Sequence, residues 1–493
     1  MKKINILKYF SGLCLVLTIT ACDDELDLRP ISEETADNAY ATGTQLQAAL
    51  TGVYESFQSS DFYVWDRMLF QDVRSDNHYA GGDNPEIFAI DDVDITPTNS
   101  RVFNAWSAIY NAISKANLVI EKAPMIEEDI TEEDRNRIIG QAQFLRAYHY
   151  FNLVRMWGGV PLITETIKSV DPAEVRVPRS TEEEVYAQII SDLESAAALL
   201  PDTYGNDASV NKARATKGAA NALLAKVHAQ KPNADYNAVL QYANAVISSP
   251  ANYKLMGNYE LLFDGNNYNN SESIFEIQYL GGDEGTWGPQ MHLPPSLSGD
   301  SWRKFVTPSH DLVDAFDAEG DEVRKNATII FEEVPWVDEY WGNAVNSAVP
   351  FAYKWKNAGG WASSDHDYIL RLADVILMKA EALNELGQPE AAAEQVDIIR
   401  NRVGLDDLPA EVRGSQSAMR DAILKERRLE FAQEAMRWDD LVRFGVAIEV
   451  MNSVDDIDLR TGQPVNYNVT QSDLLLPIPQ NEINRNPNLT PNP

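Results

Sequence analysis

The chain has 493 residues, of which 44% are hydrophobic and 24% are charged. This composition excludes a disordered or fibrous protein, and at about 150 residues per domain the length suggests roughly three domains. Asp and Glu outnumber Lys and Arg by 75 to 41, giving a net charge of −34. Such an excess repels phosphate backbones and anionic lipids, so we expect no nucleic-acid partner and no electrostatic adhesion to membranes.

The first predicted element is an export signal with a site for lipid attachment. A basic start precedes an apolar run over residues 13–19, which is too short to span a bilayer. A small residue before a cysteine, Ala21-Cys22, resembles the lipobox of bacterial lipoproteins. Cleavage there would remove residues 1–21 with Cys14 and leave Cys22 to carry the lipid, so the mature chain would have no disulfide. The alternative is an ordinary signal peptide with an incidental cysteine.

Beyond a polar tether at residues 22–38, helical periodicity dominates the sequence. Apolar residues recur at spacings of three and four, which is typical of helices with one buried face. The predicted helices span residues 44–57, 102–123, 132–157, 182–200, 213–229, 235–248, 366–386, 389–403 and 416–450. No later apolar run is long enough for a membrane-spanning helix.

Residues 250–365 differ from the rest because Gly, Asn, Pro and Trp are frequent. Their pattern predicts short strands at 273–280 and 328–332, with one helix near 309–317. We therefore expect a mostly α-helical fold in which a loop-rich segment carries the short strands. We expect three regions: an N-terminal helical region at residues 39–249, the loop-rich region at 250–365, and a C-terminal region at 366–493.

Two predicted helix pairs, 213–229 with 235–248 and 366–386 with 389–403, look like tetratricopeptide hairpins. Each pair has a short turn and small residues where its helices would cross, such as Ala380. Because no contiguous repeat is present, the alternative is two unrelated hairpins. We expect a scaffold of dispersed tetratricopeptide-like pairs.

Recognisable catalytic motifs are absent from the sequence. It contains no G-x-S-x-G elbow, no Walker A loop and no H-E-x-x-H motif. The histidines are scattered, and His149 and His228 lie in amphipathic helices, where packing explains them better than catalysis. Glycoside hydrolysis needs a pair of carboxylates, but among 75 acidic residues some such pair is expected by chance and is weak evidence for catalysis. We predict a protein that is not an enzyme.

Three acidic segments contain side chains that bind cations in other proteins. Asp365-His366-Asp367 begins a predicted helix, where Asp is favoured as a cap. The runs 91–94 and 264–267 offer oxygens that suit Ca²⁺, but neither fits the EF-hand pattern. We expect a helix cap in the first segment, solvated loops in the other two, and no metal site.

The distribution of tryptophan is the most informative feature for function. Trp106, Trp157 and Trp438 lie in predicted helices and are expected in the core. An indole ring stacks well on the C–H face of a sugar, because it offers a large apolar area with little loss of entropy. We expect two or three of the remaining tryptophans to be exposed in one groove; the alternative is that they pack the irregular region. These residues are Trp65, Trp287, Trp302, Trp336, Trp341, Trp355 and Trp361.

Several motifs, in the right order, resemble those of the SusD/RagB family of nutrient-uptake lipoproteins from Bacteroidetes. The N-terminal ones are QFLRAYHYFNL at 143–153 and WGGVPL at 157–162. The most specific are ERRLEF at 426–431, followed by RWDDL at 437–441, and the resemblance extends over nearly the whole chain. The charged residues of these last motifs are expected to form a charge network and not to catalyse a reaction. They are Glu426, Arg427, Arg428, Glu430 and Arg437.

The resemblance implies a lipid-anchored protein on the surface of the outer membrane. It would capture oligo- or polysaccharide and deliver it to a SusC-like, TonB-dependent outer-membrane transporter, over which it lies as a lid. No cofactor is implied. The acidic residues 23–25 are similar to the surface-export signal of such lipoproteins, although in enterobacteria Asp after the cysteine would indicate inner-membrane retention.

In this family the ligand-binding residues are not tied to fixed sequence motifs. The resemblance therefore suggests regions in which to look for them, and not individual positions. The predicted stacking residues are Trp65 with Trp287 or Trp302. The predicted hydrogen-bonding residues are Asp66, Arg74, Asp76 and Asn77 from the polar segment 61–83. The alternative is that the charges of this segment pair with one another. Two other functions stay open: a transporter lid for a peptide or other nutrient, and an exported glycosidase.

Overall fold

The computed structural model describes residues 40–342 and 344–492, and its architecture is mostly α-helical, as predicted. The signal peptide, Cys22 and the tether lie outside the described residues. Within the described part, no helix combines the length and the apolarity needed to cross a membrane. The long helices are α1 (Gly43–Tyr54), α2 (Ser100–Lys122), α3 (Glu132–Trp157), α4 (Glu182–Leu199), α5 (Lys217–Gln230), α6 (Tyr236–Ile247), α7 (His310–Glu319), α8 (Leu372–Glu385), α9 (Pro389–Arg402) and α10 (Gln416–Phe431).

Short helical segments connect the long helices. Short α-helices are found at Asp66–Met68, Pro85–Asp91, Pro172–Val175, Ala208–Ala213, Pro295–Ser298, Glu322–Thr328, Ala410–Arg413, Arg437–Arg443, Ala447–Ser453 and Gln480–Arg485. A π-helix at Leu69–Val73 follows the first of them, and 3₁₀ turns lie at Glu55–Gln58, Ala123–Met125, Tyr259–Leu262, Gly288–Met291 and Gln471–Leu474.

The strands are short and form antiparallel pairs. They are β1 (His78–Tyr79), β2 (Ser273–Ile277), β3 (Thr307–Pro308), β4 (Ile329–Glu333), β5 (Ala348–Ala352), β6 (Asp367–Arg371), β7 (Ile457–Asp458) and β8 (Gln463–Pro464). The pairs are β1 with β3, β2 with β6, β4 with β5, and β7 with β8. Strands β2 and β4 confirm the strands predicted at 273–280 and 328–332.

The helices form one serial array, in which α3 packs on α2 and α4, α4 packs on α5, and α5 packs on α6. Helix α6 then packs directly on α8, and α8 on α9. The two predicted hairpins are therefore neighbours in space, although more than 100 residues separate them in sequence. Buried alanines such as Ala222 and Ala382 permit the close packing. Threonine caps define several helix starts; Thr181 and Glu184 form a capping box at α4.

The predicted helix over residues 366–386 is wrong in its first part, which forms strand β6. Residues Tyr368, Ile369 and Leu370 are buried and pair with β2. Helix periodicity cannot distinguish such a short apolar run from a buried strand, because the pairing partner lies about 95 residues earlier in the chain. Helix α8 begins only after this strand, at Leu372.

The predicted helix over residues 416–450 is also wrong, since the segment contains three helices. After α10 the chain breaks at Gln433 and Ala435, which adopt left-handed φ values of 67° and 55°. The Gln433 side chain donates to the Thr328 carbonyl at 2.9 Å and accepts from the Tyr353 amide at 3.2 Å. These tertiary hydrogen bonds favour the turn over helix continuation.

A buried charge network lies at the junction of α10 with strands β2 and β6. Its centre is Arg371, which contacts Glu272, Glu430 and Glu434 at 2.5–2.8 Å. The other members are Arg324, Lys354, Arg402 and Glu426, each within 3.1 Å of an oppositely charged member. Of the residues predicted to form a charge network, Glu426 and Glu430 belong to this one. Arg427 pairs instead with Asp374 and Asp440, and Arg428 and Arg437 pair with Asp76.

Candidate ligand-binding site

A row of aromatic rings connects all three predicted stacking residues. Trp302 contacts Phe305, Phe305 contacts Trp65, and Trp65 contacts Trp287, with ring centroids 5.5–5.8 Å apart. Trp287 and Trp302 are half-buried, whereas Trp65 is only 2% exposed. The row therefore reaches the surface at both ends and is covered in the middle.

Trp361 is the most exposed tryptophan of the chain, with 51% of its surface accessible. It follows Gly359 and Gly360, and all three residues have positive φ values, between 59° and 75°. Left-handed backbone costs a non-glycine residue about 1–2 kcal/mol. An aromatic ring held at the surface by such a backbone indicates a functional constraint, because packing does not require it.

The Trp361 loop is fixed against the loop that precedes Trp287. Thr286 and Ser363 exchange two backbone hydrogen bonds, of 2.8 and 2.9 Å. A Cβ atom on Gly285 would lie only 2.6 Å from the carbonyl carbon of Ala362, so only glycine permits this approach. The contact places the loop that carries Trp361 next to the loop that carries Trp287. We name Trp287, Trp302 and Trp361, with loops 279–287 and 357–364, the aromatic surface.

Polar groups surround the aromatic surface. Asp283 and Glu284 lie exposed at the tip of the first loop, and Asn357 lies exposed on the second. Beside Trp302, the Lys304 ammonium lies 3.7 Å from the indole centroid and covers one face of that ring. The surface thus combines flat apolar rings with hydrogen-bonding groups.

The expectation that residues 65–77 face a ligand is corrected by their burial. Arg101 stacks over Trp65 at 5.0 Å and also donates to Asp66 at 3.1 Å. Burial raises the pKa of Asp66 to about 7. Arg74 stacks over Trp438 at 4.1 Å, and burial lowers its pKa to about 9. Trp65, Asp66 and Arg74 therefore lie in the interior of the protein.

Asp76 and Asn77 are likewise buried, and α10 and the helix after it supply their partners. Asp76 accepts two hydrogen bonds from Arg437 at 2.7 Å and pairs with Arg428 at 3.2 Å. Asn77 accepts from Arg428 at 2.8 Å. The alternative for segment 61–83, that its charges pair with one another, is not met either, because their partners come from outside the segment. The partners of Asp76 and Asn77 lie more than 350 positions away in the sequence.

Asp76→Asn is expected to lower the free energy of unfolding by about 3 kcal/mol at pH 7, because the buried Arg437 loses its carboxylate. Burial alone would raise the pKa of Asp76, but Arg428 and Arg437 outweigh it and lower this pKa to about 2. A carboxyl with a depressed pKa stabilises the protein above its unfolded pKa, about 4, and the stabilisation is lost as the pH falls from about 4 to about 2. Denaturant unfolding between pH 7 and pH 3 measures this.

Asp311→Asn is the control for Asp76→Asn, because Asp311 also pairs with Arg428 but has a half-exposed side chain. Its loss should stay below about 1 kcal/mol. A loss at Asp76 no larger than at Asp311, or one independent of pH, would contradict the structural role.

Of the seven tryptophans expected to supply two or three exposed rings in one groove, Trp361 is exposed and Trp287 and Trp302 are half-buried. Trp336 and Trp341 pack against the β4–β5 hairpin, and Trp355 lies 5.7 Å from His292. For these three residues the packing alternative is correct. Trp106, Trp157 and Trp438 are buried, as predicted. Trp361 was not among the predicted ligand residues; the two glycines that precede it were the available signal.

The acidic segments considered as cation sites use their side chains within the protein. Asp365 accepts from the Asn357 amide, His366 pairs with Glu276 at 2.9 Å, and Asp367 pairs with Arg67. The prediction that this triplet caps a helix is wrong, because it leads into β6. In the described part of the chain, no three His, Cys, Asp or Glu side chains are grouped so that they could hold a metal ion.

Comparison with sequence families gives two matches. A sequence model described as the SusD family matches residues 340–493. A second, described as "Starch-binding associating with outer membrane", matches residues 26–228. The matches leave residues 229–339, which include most of the loop-rich region, unmatched.

Individual relatives match over the whole chain. SusD-like protein P2 of Formosa agariphila is 30% identical, over 97% of this chain and 98% of its own length. SusD-like protein P25 of the same organism is 28% identical, over 99% and 98%. A solved structure named "Laminarin binding SusD-like protein" is 28% identical and superposes with a TM-score of 0.75, over 92% of this chain and 100% of its own.

Proposed function

The chain belongs to the SusD/RagB family, and from that premise we propose that it binds a glycan at the aromatic surface without cleaving it. The observation that carries the proposal is Trp361, whose indole is exposed although its backbone is strained. The relative named for laminarin binding supports a glycan as ligand. Stacking on flat rings needs no bond to be made or broken.

The same proposal includes the cellular context of the protein. One matching sequence model is described by outer-membrane association. Together with the lipobox-like Ala21-Cys22, this supports a lipid anchor at Cys22 on the surface of the outer membrane. There the protein delivers its glycan to a SusC-like, TonB-dependent transporter.

The test is glycan binding by the mature protein, measured by titration calorimetry with laminarin, soluble starch and xyloglucan. We expect at least one to bind, and Trp287→Ala and Trp302→Ala each to weaken binding by about tenfold, since buried aromatic anchors dominate binding energies. Tyr242→Ala in helix α6 is the control, because this partly exposed ring lies in the helical array. Unchanged affinity in both tryptophan variants would remove the proposed site, and turnover of the glycan would refute a purely binding role.

A further inference from the structure

The exposed charges at the aromatic surface are acidic. Asp283 and Glu284 protrude from the turn closed by the Leu280–Glu284 backbone hydrogen bond of 3.0 Å. Neither carboxylate has an ion-pair or hydrogen-bond partner among the described side chains. Glu284 precedes Gly285, which touches Ala362, the neighbour of Trp361. The loop that carries the two carboxylates therefore packs against the loop that carries Trp361.

The cations near the aromatic surface are committed to other groups. Arg303 pairs with Glu339 and donates to the Val337 carbonyl. Lys304 pairs with Asp300 at 3.2 Å and donates to the Gln290 carbonyl at 2.9 Å. These pairs leave the two side chains little capacity to accept a further anion.

Two further cations near the aromatic surface, Arg101 and Lys356, also contact groups of the protein. Arg101 pairs with the buried Asp66 beneath Trp65. Lys356 precedes the Trp361 loop, and its ammonium lies over the Tyr353 ring at 4.6 Å and faces Glu260 and Asp264. Bound carboxylate or sulfate groups need arginine or lysine partners to offset their desolvation. Of these four cations, only Lys356 makes no ion pair among the described residues, and its ammonium already lies over an aromatic ring.

We propose that the aromatic surface selects uncharged glycans and rejects polyuronates and sulfated polysaccharides, an inference that rests on the proposed function. Neutral sugar hydroxyls donate well to carboxylates, so Asp283 and Glu284 are suitable acceptors for them. The same two charges repel an anionic chain within about one Debye length, roughly 8 Å at physiological salt. The net charge of −34 adds to this repulsion at low salt.

The test compares polysaccharides of matched backbone. Laminarin, soluble starch and xyloglucan are titrated first, and then the sulfated or carboxymethylated derivative of whichever binds; alginate and polygalacturonate are natural polyanions for comparison. We expect the derivative to bind at least tenfold more weakly at 20 mM salt, with the difference narrowing at 300 mM salt. A derivative or natural polyanion that binds as tightly as the neutral chain, or more tightly, overturns the inference and leaves the proposed function standing.

The double variant Asp283→Lys/Glu284→Lys tests the two residues directly. Because the turn is held by backbone hydrogen bonds, the substitutions should leave its conformation unchanged. Binding of the anionic derivative should increase at least tenfold, whereas binding of the neutral chain should weaken, because the two carboxylates that accept from its hydroxyls are lost. The control is Glu394→Lys/Glu411→Lys, which makes the same change in charge at two exposed side chains of C-terminal helices. It should increase the binding of neither the anionic derivative nor the neutral chain.

Equal gains in the two double variants would show that net charge alone controls binding and would overturn the role of Asp283 and Glu284. If no polysaccharide of either kind binds, the proposed function itself fails, and this inference fails with it. The two failures are thus distinguishable.

Discussion

Arg371→Met is expected to lower the free energy of unfolding by about 5 kcal/mol, at the upper end of the cost of breaking a buried ion pair, or to prevent folding. Arg371 is 1% exposed and contacts three carboxylates, those of Glu272, Glu430 and Glu434. It also donates to the Glu430 carbonyl at 2.9 Å. No water can replace these contacts at this depth.

The expected loss is large because the remaining cations cannot replace Arg371. Glu434 would keep only Lys354, and Glu272 only Arg402. Burial raises the pKa of Glu434, but Arg371 and then Lys354 outweigh it and hold this pKa below its usual value. Without Arg371, burial favours the protonated form, so the carboxyl would take up a proton or the region would open. Either outcome destabilises the folded state.

Two further variants make the test specific. Arg371→Lys keeps the charge but loses the planar fork that binds several carboxylates, so it should recover only part of the stability. Arg137→Met removes a partly exposed cation that pairs with the exposed Glu133 and Asp134, and should cost less than about 1 kcal/mol. Denaturant unfolding measures all three variants. A loss at Arg371 as small as that at Arg137 would refute the role of the buried charge network.

Trp361→Gly is expected to weaken glycan binding by about 30-fold without destabilising the protein. A central aromatic anchor contributes about 2 kcal/mol or more to binding, and 1.4 kcal/mol corresponds to a tenfold change. Glycine adopts the observed φ of 75° without the steric cost that tryptophan incurs. Calorimetric titration and denaturant unfolding measure the two effects separately.

Trp361→Ala and Trp361→Phe complete the series. Alanine loses the ring but keeps the backbone cost, so it should bind as weakly as glycine and be less stable than glycine by about 1 kcal/mol. Phenylalanine keeps a flat ring and should retain part of the affinity. Tight binding by the glycine variant, or a clear loss of its stability, would show that Trp361 is a packing residue.

The candidate site could be predicted only in part. Trp287 and Trp302 reach the surface, as the cluster of tryptophans in the loop-rich region suggested. Trp65, Asp76 and Asn77 are buried, because Arg101, Arg428 and Arg437 come from distant elements to cover them. A local window cannot reveal partners that lie 36 to more than 350 positions away. Trp361 could be recognised as a site residue only from the φ values of its loop, which the structure supplies.

The sequence alone determined the helical scaffold and its caps, because 3.6-residue periodicity and cap preferences are local properties of the chain. It also determined the family, through motifs such as ERRLEF at 426–431. Only the tertiary structure decided that strand β6 replaces the first turns predicted for α8, and which tryptophans reach the solvent. Exposure depends on what packs over a side chain, and that is set by contacts between residues far apart in the chain.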